Sequence, residues 1–172
     1  MNRFKLISAV FKYLFLVASV LLACRAAHIF FDLCQTTPDP HIVGEFWFTP
    51  RGGTLLFLAE HIGGTVFFWF CYKFFGMCSR NEPFASRNVR YLQAASCAYF
   101  LFFPLDVFNQ ELSEQYLRAI DHFGSGATIY LPLSWSMLPP IIISLFPGIF
   151  IFFIAWIMDE GRKIQEEQEL TV

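Results

Sequence analysis

Long apolar runs separated by short polar segments dominate the chain, and their lengths set the first expectation. Residues 7–33, 54–75, 91–108 and 137–158 each come near or exceed the ~20 mostly apolar residues that cross a hydrocarbon core of ~30 Å, so the pattern predicts four membrane-spanning helices. Between the second and third runs lies a polar linker, residues 76–92, GMCSRNEPFASRNVRYL. The first connection, residues 34–53, carries Pro38, Pro40, Pro50 and three glycines and reads as a loop. Its aromatic and branched middle, residues 41–49, suits either a short strand or an interfacial anchor built on Trp47 and Phe48. After residue 108 the period changes. Leu112, Tyr116, Ile120 and Phe123 recur at helical spacing among charges, which predicts an amphipathic helix over 109–123, lying on the outer surface or extending the third span. Residues 127–134 suit a second short strand, and pairing it with 41–49 gives a small extracytoplasmic β-hairpin cap. The charged tail, 159–172, is expected to prolong the last helix into water. The expected fold class is therefore an all-α membrane protein of one domain, a four-transmembrane-helix bundle with an amphipathic outer helix and that cap.

Composition agrees with the pattern. The chain of 172 residues is 56% hydrophobic and 19% aromatic, with 23 phenylalanines, against an apolar share of ~45–50% in ordinary soluble domains. A net charge of −2 gives no bulk basic character, so direct nucleic-acid binding is not expected. Five scattered cysteines include no C-x-x-C, which removes a zinc knuckle, a disulfide framework and quinone-linked thiol oxidation from the expectations. Leu21-Leu22-Ala23-Cys24 resembles a lipoprotein cleavage box, but the Leu two before the Cys is atypical and Arg25 follows at once, so an uncleaved helix running on through Phe31 is expected. Small residues mark packing faces at Ala59, Gly63 and Gly64, at Ala94, Ala95 and Ala98, and at Ser144 and Gly148. Pro104 and Pro147 are expected to kink their helices.

Charge orients the spans. Arg3, Lys5, Lys12, Lys73, Arg80, Arg87, Arg90, Arg162 and Lys163 fall on one side of a four-span arrangement. Only Arg51 and Arg118 fall on the other, among Asp39, Glu45, Glu111, Glu114 and Asp121. Positive residues collect on the cytoplasmic side, which predicts a multi-pass protein of the inner membrane with both termini cytoplasmic.

At ~1.5 Å per residue, Arg25, His28, Asp32, Glu60, His61 and Asp106 fall near one depth in the outer third of the membrane. Spacings of three and four put Arg25, His28 and Asp32 on one helix face, expected to point into the bundle. Ionisable groups in lipid are costly and pair by default. The six therefore form either a structural layer, Arg25 pairing with Glu60 or Asp106, or a small-molecule or ion site that opens outward. A metal is not expected, because the adjacent Glu60 and His61 diverge by about 100° and cannot both converge on an ion held by His28 and Asp32. Transport through such a layer would require a homo-oligomer, since four spans have no second half to rock against.

No H-E-x-x-H, G-x-S-x-G, Walker or dinucleotide-binding signature occurs, so neither an enzyme nor a cofactor is expected. Two stretches carry a resemblance. In the linker, Pro83, Phe84, Asn88, Val89 and Leu92 match a PF-x-x-x-N-V-x-x-L pattern, and the tail runs from Glu160-Gly161 to a Glu-rich turn ending Leu170-Thr171-Val172. Together they resemble DUF2975, a bacterial family of small four-span membrane proteins. Its members are often encoded beside a small helix-turn-helix regulator, and the resemblance implies a membrane partner or sensor for such a protein. The implied cytoplasmic interaction face comprises Arg80, Pro83, Phe84, Arg87, Asn88 and Arg90 of the linker with Arg162, Lys163, Glu166, Glu167 and Leu170 of the tail. On the residues alone, Pro83-Phe84 seating the loop on the membrane and Asn88 capping the third helix account for the linker equally well.

Overall fold

The computed structural model describes residues 3–35, 50–80, 82–123 and 138–170. They form four α-helices: α1 Arg3–Gln35, α2 Pro50–Cys78, α3 Ser86–Phe123 and α4 Leu138–Leu170. No strand occurs among the described residues, and both stretches expected to form the β-hairpin cap, 41–49 and 127–134, lie outside them. Helices α1, α2 and α4 contain stretches long and apolar enough to cross a membrane, the make-up of a multi-pass membrane protein.

Each helix is longer than its apolar run. Helix α1 passes unbroken through Cys24 and Arg25. Helix α3 spans 38 residues, roughly 57 Å, so the amphipathic segment 109–123 extends the third helix and does not form a separate one. Pro139 and Pro140 sit in the first turn of α4, where a missing N–H leaves no hydrogen bond unmade. Beyond Met158 the charged segment continues α4 to Leu170.

The helices pack in chain order, α1 on α2, α2 on α3 and α3 on α4. Every neighbouring pair is antiparallel. Phe11 stacks on Phe75 at 5.3 Å between ring centroids while Ser19 Oγ donates to the Thr65 carbonyl at 3.1 Å. Phe67 meets Tyr99 and Phe103 edge-on at 5.6 and 5.4 Å. Ser96 Oγ donates to the Gly148 carbonyl at 2.9 Å, while Phe84 at the other end of that pair lies against Gly161. The start of α1, the linker between α2 and α3, and the end of α4 consequently share one end of the bundle.

Aromatic rings fill the seams, which explains the phenylalanine content. Phe67, Cys71, Ala95 and Ala98 form a buried centre surrounded by Phe15, Phe68, Phe70, Tyr99, Phe103 and Ile151. Lipid tails are as apolar as these side chains, so helix association in a membrane depends on close packing and interhelical hydrogen bonds. Adjacent glycines supply the close approach on two sides of α2. A Cβ on Gly63 would run into the Phe102 ring of α3, and one on Gly64 would stand 2.9 Å from Leu22 of α1. Gly148 does the same for α4, where a Cβ would meet Tyr99 at 2.7 Å. Ser144, paired with it in the sequence reading, instead turns its hydroxyl back to the Ile141 carbonyl of its own helix. The faces left open are apolar. Leu21 on α1 and Ile143, Phe146 and Phe150 on α4 are all more than 60% exposed, an arrangement suited to lipid and unfavourable in water.

Candidate functional site

The linker is held by a small set of backbone bonds. Ser79 N–H donates to the Phe75 carbonyl, and the N–H groups of Arg80 and Glu82 both donate to the Met77 carbonyl, which turns the chain sharply after α2. Ala85 then opens α3, its carbonyl accepting from the N–H groups of Asn88 and Val89. Asn88 lies inside the first turn and is fully buried, which removes it from the exposed interaction face expected of it. Its side-chain amide donates to the Pro83 carbonyl at 2.9 Å and approaches Cys78 Sγ at 3.5 Å. The expected N-cap role is thus corrected: Asn88 uses its N–H₂ group to tie the loop back onto the helix, where a cap would use its oxygen. That oxygen, Oδ1, is buried without a hydrogen-bond partner among the described residues.

Pro83 is half-buried and Phe84 is 47% exposed. One edge of the Phe84 ring lies 3.7 Å from where a Cβ on Gly161 would stand. The linker motif and the tail motif, 77 residues apart in sequence (161 − 84), are therefore in contact. Leu170 is 87% exposed at the far end of the same helix.

Both cations of the α4 extension, Arg162 and Lys163, are paired with carboxylates along the helix. Arg162 pairs with Asp159 at 3.0 Å and with Glu166, and Lys163 pairs with Glu160 at 2.9 Å and Asp159 at 3.3 Å. Hydrogen bonding from Arg162, followed by Lys163, holds the Asp159 carboxyl below its ordinary range. The same bonds, from Asp159 and then Glu166, raise the Arg162 guanidinium further. Glu167 is exposed on this extension. In the linker, Arg80, Arg87 and Arg90 are exposed.

Of the outer polar layer, the α1 trio does not point into the bundle as expected. Arg25, His28 and Asp32 share a face of α1, and His28 Nδ1 lies 2.9 Å from Asp32, but all three are exposed. Helix α1 packs through Ser8, Ser19, Ala26 and Ile29, a stripe roughly 120° around the helix from the polar trio. The small and apolar side chains take the contact with α2, and the ionisable ones turn away from it. Arg25 forms no ion pair among the described residues. Glu60 is half-buried with its Oε2 sealed from solvent. His61 Nδ1 lies 2.8 Å from the Phe57 carbonyl one turn earlier, its ring against the Phe57 ring at 4.3 Å. Asp106 lies on α3, and its side chain is outside those described. Among the described residues no group of three His, Cys, Asp or Glu side chains converges as a metal site would require.

With the helix order and the linker–tail contact in place, the family can be stated. The family model for "Protein of unknown function (DUF2975)" matches residues 9–172, nearly the whole chain. The chain belongs to the DUF2975 family. No curated protein and no solved structure matches it. Within this DUF2975 chain, Lys12 and Lys73 are markers of orientation in the sequence, Lys73 also standing where it can snorkel from the end of its span. The antiparallel register of α1 and α2 brings both into a pocket with Arg80 and Arg87. Their position at the ends of two apolar runs was the available signal, but which cations would meet depends on a packing register that composition does not reveal.

Proposed function

We propose that this chain is a non-enzymatic, four-span protein of the bacterial inner membrane whose cytoplasmic face docks a small helix-turn-helix regulator. Support for the third span comes from packing: α3 lies against both α2 and α4, with Ala95 and Ser96 fully buried, so its apolar run shares the depth of two membrane-crossing neighbours. Support for the orientation comes from charge. Nine of the twelve Lys and Arg residues lie at the linker end of the bundle, and cytoplasmic segments carry the excess of Lys and Arg.

The observation that carries the docking face is the seating of Phe84 on Gly161, which makes one surface of two stretches distant in sequence. An exposed aromatic ring beside a helix that projects beyond the apolar run gives a partner both an apolar anchor and a charged rail. Detergent pull-down of the full chain, read for helix-turn-helix proteins by mass spectrometry, tests this. The regulator is expected with the full chain and lost with Phe84→Ala or on removal of residues 159–172. Identical partner profiles for all three would overturn it.

A further inference from the structure

At the linker end, a cavity of about 230 Å³ opens between α1, α2 and the start of α3, lined by Lys12, Lys73, Arg80 and Arg87 together with Tyr72 and Tyr91. Its four cations come from three helices and a turn, and no carboxylate among the described residues lines it. Lys12 Nζ stands 5.6 Å from the centroid of the Tyr72 ring, and Lys73 Nζ stands 5.6 Å from the same ring and 4.6 Å from that of Trp69. Two ammonium groups are thus held against one aromatic ring, with two guanidinium groups at the mouth. Like charges gathered this way repel, and none of the four has an ion-pair partner among the described residues. An anion relieves that repulsion.

We propose that this pocket binds the phosphate of an acidic phospholipid headgroup from the cytoplasmic leaflet. The site stands at the inner ends of the apolar runs of α1 and α2, the depth at which headgroup phosphates lie, and basic pockets between spans on that side take anionic headgroups. Arg80 and Arg87 supply planar donors that suit phosphate oxygens two at a time, while Lys12 and Lys73 act as point charges deeper in. The cavity has room for a phosphate with part of its glycerol. The depth assignment rests on the four-span reading, but the binding itself does not.

The test uses the full chain in neutral detergent, titrated with phosphatidylglycerol, phosphatidylcholine, inorganic phosphate or poly-glutamate and read by native mass spectrometry. Phosphatidylglycerol is expected to bind saturably and in preference to phosphatidylcholine. Arg80→Gln with Arg87→Gln should weaken it about fivefold per charge removed, while Arg3→Gln with Arg118→Gln, an equal change in net charge, leaves it unchanged. Circular dichroism checks that each variant keeps its helices, and Lys73→Gln replaces the double variant if that one does not. Equal binding of phosphatidylcholine, or equal weakening by both double variants, overturns the proposal. Displacement of the lipid by inorganic phosphate would assign the pocket to a free phosphate, and displacement by poly-glutamate would assign it to an acidic protein segment; either overturns the lipid as occupant. Micelle binding is independent of orientation, so its failure is distinguishable from failure of the four-span reading.

Discussion

Along the α4 extension Arg162 and Lys163 each pair with carboxylates of their own helix, whereas the four cations around the linker pocket form no ion pair among the described residues. Both regions stand at the same end of the bundle and touch through Phe84 and Gly161. In the tail, pairs at i,i+3 and i,i+4 steady a helix that has left its apolar run, where each exposed pair contributes little. In the pocket, tertiary structure holds like charges together, a configuration that costs free energy until something external compensates. The difference separates cations already paired along a helix from cations gathered without an ion-pair partner among the described residues, a distinction invisible in a count of Lys and Arg.

The largest effect should come from breaking the tie that shapes the linker and hence the pocket. Asn88→Asp removes the donor to the Pro83 carbonyl and buries a carboxylate facing that oxygen, so it should cost more than about 2 kcal/mol. Asn88→Ala only loses the bond and should cost about 1–2 kcal/mol. Thermal or denaturant unfolding in detergent ranks the two, and equal stability of wild type and Asn88→Asp would show that Asn88 does not hold the linker. At the junction the expected sign reverses. A Cβ on Gly161 meets Phe84 only at ordinary contact distance, so Gly161→Ala should gain about 0.5–1 kcal/mol of helix propensity. Destabilisation there would mean that the ring sits closer than 3.7 Å to the position of the added Cβ.

The smallest effect belongs to the tail. Arg162→Gln should lower helicity of the α4 extension slightly at low salt and not at high salt, as circular dichroism would register. Acid should act likewise. Asp159 is held below its ordinary value of 3.8, so its contribution is fully present above that value and is lost as pH falls through the lower folded one. Tail helicity indifferent to both salt and acid would remove the contrast between the two regions.

The spans in α1, α2 and α4 were legible because apolar run length against membrane thickness is a one-dimensional property. Gly63 and Gly64 were legible as small residues; that one serves α3 and its neighbour α1 follows only from the register of packing. Spacing correctly put Arg25, His28 and Asp32 on a single face, yet the direction of that face was decided by Ala26 and Ile29, which outcompete ionisable groups for the contact with α2. Asn88 was legible either as part of the interaction face or as a helix cap, but a buried amide can satisfy a loop as donor or a helix as acceptor, and only the position of Pro83 chooses. The contact of Lys12 with Tyr72 joins residues 60 apart (72 − 12) across two helices, which no local pattern encodes.

Reporter fusions test the central claim, four crossings with linker and tail on the cytoplasmic face, most directly. Green fluorescent protein and alkaline phosphatase would each be fused after residues 82, 125 and 172. The expected result is fluorescence at 82 and 172 and phosphatase activity at 125. The same reporter active at both 82 and 125 would mean that α3 does not cross, and phosphatase activity at 82 and 172 would mean that the bundle is inverted.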